Sequence, residues 1–213
     1  MKRAFTLIEL LVVIAIVALL MGILLPTMGR ARLQAKVVAV NAELQAIGTA
    51  LEAYSLDDDG AYPPTRVDCM LGGHFYQLPV ELVDGEYLPS PGGDTFMSTR
   101  IEDRFNRGYT YKYRSVGILL YNRTVVVQNG SSLWVPDGFP DNERQEGRDY
   151  ADLRESPVHW VLYSEGPRFD LNRMKGLKYP VPTNTWYSPQ TRQGVIVRMR
   201  LANGRQIGSF ESR

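Results

Sequence analysis

The chain is 213 residues long, 44% hydrophobic and 22% charged, with a formal net charge of +1. That length accommodates one long helix and one compact domain, not two full globular domains. The near-neutral balance gives no basis for nucleic-acid binding or disorder, and a single cysteine, Cys69, excludes an intramolecular disulfide and any cysteine-rich metal site.

Lys2 and Arg3 precede an apolar run, Phe5 to Leu25, whose one charged member is Glu9. Twenty-one helical residues span about 31 Å at roughly 1.5 Å each, close to the bilayer hydrocarbon core of roughly 30 Å. The basic pair lies before the run, so the positive-inside rule predicts a cytoplasmic N-terminus and a single span. Everything after Pro26 then lies on the far side of the membrane. A cleaved secretory signal competes with this reading. Its apolar region is typically shorter, about 7 to 15 residues, and it carries no carboxylate.

A carboxylate in an apolar span costs about 2.5 to 3.5 kcal/mol near the helix centre and less toward the interface. A cut between Ala4 and Phe5 would create an α-ammonium able to meet a Glu9, in its own helix or in a neighbour. An uncut anchor with Glu9 snorkelling to the interface is the physical alternative. The stretch from Lys2 to Ile16, with Ala4, Phe5 and Glu9 at its centre, resembles the cleavage and methylation signature of type IV prepilins and type II secretion pseudopilins. The resemblance implies a prepilin peptidase that cuts before Phe5 and N-methylates it, with Glu9 governing subunit docking. Ala4 departs from the glycine usual in that family, which implies slower processing. Loss of residues 1–4 removes two positive charges and takes the formal charge from +1 to −1.

Beyond Pro26, Leu33, Val37, Val40, Leu44, Ile47, Leu51 and Tyr54 draw one apolar stripe at helical spacing. The expected helix runs from Phe5 to about Leu56, roughly 78 Å of rod. Arg30, Arg32, Lys36, Glu43 and Glu52 fall largely off the stripe. Gly22 and Pro26 predict a kink or local loosening between them; by the resemblance, this segment melts when a subunit enters a filament. The run Asp57-Asp58-Asp59-Gly60-Ala61-Tyr62-Pro63-Pro64 ends the helix with turn formers. It is similar to the exit from the long helix of major pseudopilins.

Residues 63–108, rich in Pro, Gly and Asp with only short apolar pieces such as Leu78 to Val83, read as loops with one short helix at no fixed place. Strands are expected at Tyr109 to Arg114, Gly117 to Tyr121, Thr124 to Gln128, His159 to Ser164, Gly194 to Leu201 and Arg205 to Phe210. Asn203-Gly204 signals a two-residue hairpin, and Asn129-Gly130 is a weaker turn signal. The expected organisation is a leader (1–4), a transmembrane helix half (5–25), an amphipathic half (26–56) and a head (57–213). The fold class is α+β, a long helix packed on an antiparallel sheet.

Ser164-Glu165-Gly166-Pro167 with the following Asp170 resembles the calcium loop of major pseudopilins, which implies Glu165, Asp170 and Asn172 as oxygen ligands. Arg168 stands where that family tends to have an acid, and ordinary turn chemistry is the competing account. His74 and His159 have no clustered partners for a transition metal. No nucleophile elbow or phosphate loop is present, so no enzymatic activity is expected.

The function implied is a pseudopilin assembled into a periplasmic filament for protein secretion. Its partners would be other pilin-like subunits, a membrane platform protein and an assembly ATPase. A type IV pilus subunit for adhesion, motility or DNA uptake shares the same first 25 residues. A signal-anchored ligand-binding or enzymatic domain is the reading of another class.

Overall fold

The computed structural model describes residues 6–69, 74–93, 96–122, 124–139 and 147–211. By internal contacts the chain divides into two units, Met1–Ala39 and Val40–Arg213. The described part of the first is helical from Leu7 onward, within α1 (Leu7–Asp57). Pro26 removes a backbone donor, yet the helix continues through it. Thr27 Oγ1 donates to the carbonyl of Leu24 at 2.8 Å one turn back.

In the second unit, the remainder of α1 presents Val40, Leu44, Ile47 and Leu51 as buried side chains, following the predicted stripe. After it come β1 (Thr65–Asp68), β2 (His74–Phe75) and α2 (Glu81–Asp84). Then follow β3 (Lys112–Ser115), β4 (Gly117–Tyr121), β5 (Val125–Ser131), β6 (Leu133–Val135) and β7 (Arg148–Tyr150). The chain ends with β8 (Val158–Ser164), α3 (Leu171–Gly176), a 3₁₀ turn at Thr183–Thr185, β9 (Ile196–Leu201) and β10 (Gln206–Gly208).

The strands form sheets ordered β10-β9-β8-β3 and β2-β1-β4-β5, with β6-β7 as a separate pair. The first sheet is antiparallel throughout and carries the core. Its β8 is buried at six of seven positions, as expected of a strand covered on both faces. The part of α1 from Val40 onward lies on one face: a Cβ at Gly48 would stand 3.2 Å from both Trp160 Cη2 and Arg198 Cδ. Val161, Tyr163, Val197 and Met199 turn to a cluster on the other side with Val135, Val181 and Trp186.

Hydroxyl groups join the two sheets. Thr65 Oγ1 on β1 donates to the carbonyl of Ser115 on β3 at 2.9 Å and accepts from Ser131 Oγ on β5 at 2.9 Å, all three residues being buried. Buried hydroxyls must find partners, and these find one another across 66 residues of chain.

The α+β class holds, with several corrections. All six expected strands form. The loop expected over 63–108 also contains β1 and β2, and β1 pairs parallel with β4, where only antiparallel pairing was expected. Asn129-Gly130 is not a turn. It lies inside β5, opposite a register shift between Gly117 and Leu119, with Asn129 at φ 51°; the extra residues bulge the strand. The Asn203-Gly204 hairpin has three loop residues rather than two, because Leu201 N–H donates to Arg205 O at 2.9 Å. Gly204 closes it at φ 87°, the left-handed position that glycine tolerates.

Glu43 and Glu52 lie off the stripe as expected, partly exposed and each paired with an arginine of the head. They flank it on opposite sides. Glu43 accepts from Arg104 Nε at 2.8 Å and from the Tyr111 hydroxyl. Glu52 takes Arg200 of β9, Gln206 Nε2 at 3.2 Å and the Tyr62 hydroxyl at 3.2 Å.

Candidate functional site

The N-terminal segment begins, among the described residues, at Thr6. Ala4 and Phe5, the residues expected at the cleavage point, lie outside the described residues. Thr6 caps α1: its Oγ1 accepts from the Glu9 backbone N–H at 3.2 Å. Glu9 returns the contact, its Oε2 accepting from Thr6 N–H at 2.9 Å and from Thr6 Oγ1 at 2.7 Å. This is a reciprocal capping box, in which two of the donors left over at a helix start satisfy each other's residues. Glu9 also sits in the first turn, where the helix dipole favours a negative charge.

The Thr-x-x-Glu spacing that encodes this cap is legible in the sequence. It escapes notice because the carboxylate reads first as an intruder in an apolar run. Both bonds end on Oε2. A carboxylate accepts at two oxygens, so Oε1 keeps its capacity for a cation.

Beyond the cap the helix surface is bare hydrocarbon. Leu7 is 85% exposed and Leu25 70%, and every large apolar side chain between them is exposed. The most apolar stretch of the helix has a mean hydropathy of 3.1 with none of it buried. A soluble monomer rarely exposes so contiguous a patch, whereas a single-pass membrane anchor requires it.

The residues resembling a calcium loop do separate jobs. Asp170 caps α3, its Oδ1 accepting from the backbone N–H groups of Asn172 at 3.0 Å and Arg173 at 3.2 Å. Glu165 Oε2 accepts from Asn106 Nδ2 at 2.9 Å. Among the described residues no group of three or more His, Cys, Asp or Glu is placed to hold a metal ion. The Ser164–Pro167 turn is tied to the segment that carries Asp103. Ser164 Oγ donates to buried Asp103 Oδ1 at 2.7 Å and accepts from Gly166 N–H at 3.2 Å. Burial holds the Asp103 and Glu165 carboxyls above their usual range.

His74 is buried and packs on Tyr109 with ring centroids 4.6 Å apart, and burial lowers its pKa. His159 is lowered by burial too. Cys69 is exposed at the end of β1.

Residues 1–25 match the family model described as the prokaryotic N-terminal methylation motif, the signature of type IV pilins and pseudopilins. No curated protein matches the chain, and no solved structure does. Over these 25 residues, which include the start of the exposed apolar helix, the chain is similar to type IV prepilins and pseudopilins.

Proposed function

We propose that this pilin-like chain is a pseudopilin, a filament subunit of a type II secretion system rather than an enzyme. The observation that carries the pilin-like part is the methylation motif lying directly on an exposed apolar helix. Preference for secretion over a pilus rests on the resemblance of the Ser164-Glu165-Gly166-Pro167 turn and the Asp57–Pro64 helix exit to major pseudopilins.

In this reading the N-terminus is cytoplasmic, the helix sits in the inner membrane and the head is periplasmic. The peptidase cuts between Ala4 and Phe5 and methylates Phe5. A methylated α-amine stays cationic, and a cation inside hydrocarbon needs a partner. Glu9 Oε1 supplies it, on a neighbouring subunit, while Oε2 remains on Thr6. Docking thus neutralises two costly charges at once. Extraction from the membrane draws its energy from an assembly ATPase acting through a platform protein.

The test is intact mass and N-terminal sequencing of the full chain from membranes of cells with and without prepilin peptidase. A peptidase-dependent start at methylated Phe5 is expected. A chain that keeps Lys2 and Arg3 in both cells would make it a plain signal anchor. Deleting the gene in its own cell separates the two filament systems: loss of secreted proteins supports the pseudopilin, and loss of surface filaments alone overturns it.

A further inference from the structure

A second site lies wholly in the head. A half-open cavity of about 500 Å³ is walled by Tyr76, Tyr109, Tyr163 and Tyr179 and has Lys112 and Glu165 as its inner charged groups. The walls are held rigid by ring contacts. Tyr179 meets Tyr163 edge-on at 5.8 Å and Phe169 at 5.6 Å, and Tyr109 is backed by His74.

Lys112 is only 7% exposed. Its Nζ donates to the Phe75 carbonyl at 3.0 Å and stands 5.1 Å from the Tyr109 ring centroid. An ammonium has three N–H donors, and one of them is spent on that carbonyl. Glu165 faces the same space with Asn106 on its Oε2. Lys112 is buried and Glu165 partly buried, and their attraction for each other, with that of Asp103 for Lys112, repays only part of the desolvation. Neither belongs to the N-terminal segment or to its processing.

The lining restricts the ligand. Two lysines, Lys112 and the rim residue Lys175, disfavour a cation, and Glu165 disfavours a simple anion. Aromatic walls favour a ligand that carries apolar C–H groups. Donors and an acceptor side by side favour one whose groups both give and take hydrogen bonds. A pyranose has C–H groups to lie along the tyrosine walls and vicinal hydroxyls for a lysine and a glutamate. The volume is in the range of small-molecule sites, roughly 300 to 1,000 Å³. We infer that this tyrosine-walled pocket of the head binds an oligosaccharide, its hydroxyls shared between Lys112 and Glu165.

The full chain is purified in a detergent without a sugar headgroup and titrated calorimetrically with cellotriose, maltotriose and chitotriose. At least one should saturate the protein with a stoichiometry of one per chain. Glu165→Gln keeps the shape and an oxygen for Asn106 but removes the charged acceptor, and should weaken binding about tenfold. Lys175→Ala changes an exposed rim residue and should weaken it several-fold with the melting temperature unchanged, which separates lost binding from lost folding. The inference is overturned if none of the three sugars saturates. It is equally overturned if both variants bind as the wild type does, or if benzoate outcompetes the sugars and tightens in Glu165→Gln, which would mark an acid site.

Discussion

Gly166 offers a quantitative test of the turn that carries Glu165. It has φ +69°, and a Cβ added there would lie 2.1 Å from the carbonyl oxygen of Gly194. Gly60 has a similar φ of +84° but open space around its missing Cβ. Gly60→Ala therefore measures the backbone penalty alone, roughly 1 to 2 kcal/mol for a left-handed residue. Gly166→Ala adds a collision with backbone, which has no flexible end to yield. The added strain of moving that carbonyl is of the order of an overpacked core, about 1 to 3 kcal/mol more. For a chain of this size 1 kcal/mol moves the melting temperature by roughly 2 to 4 °C. Gly60→Ala should thus melt about 2 to 8 °C low, and Gly166→Ala about 4 to 20 °C low. Melting is followed by tryptophan fluorescence, since Trp160 and Trp186 lie in the folded head. If Gly166→Ala is no less stable than Gly60→Ala, the close approach of the two turns is wrong.

Leu44→Ala on the buried stripe should cost about 2 to 5 kcal/mol, while Leu56→Ala, 86% exposed on the same helix, should stay within about 0.5 kcal/mol; equal losses in denaturant titrations would refute the packing of α1 on the sheet. Acid should also act through His74. Its folded pKa is depressed by burial and by Lys112, with Asp68 opposing, so the unfolded chain binds the proton more readily and stability falls as pH drops below about 6.5. Asp103 and Glu165, whose pKa values are raised, oppose this by favouring the fold as they protonate. His74→Gln should flatten the loss of melting temperature between pH 7.5 and 5.5, and an unchanged slope would assign it elsewhere.

The parts of the fold legible in the sequence are those with a period. The stripe from Val40 to Leu51 recurs every three or four residues over several turns, β8 holds the apolar run Trp160 to Tyr163, and β9 alternates Val197, Met199 and Leu201 with arginines. Short elements hold no period: β2 is two residues, and β6 and β7 are three each. β1 reads Thr-Arg-Val-Asp, and it is a strand because β4, about fifty residues on, pairs with it.

The site divides in the same way. The apolar helix and its methylation motif are contiguous and were readable at once. The capping box was present as Thr6-x-x-Glu9 but is local chemistry hidden inside a stronger hydropathy signal. Asp170 reads as a possible ligand, yet an aspartate opening a helix is first of all a cap. The tyrosine pocket has no linear signature at all, since its walls come from residues 76, 109, 163 and 179.

The reciprocal contact between Thr6 and Glu9 determines which part of the chain instructs the helix where to begin. Every atom of that contact belongs to residues 6 to 9. A protease trimming the first four residues would remove two cations and leave the starting signal whole. Precursor and product would share one helix register, and maturation would alter the electrical character of the end without rewriting its architecture.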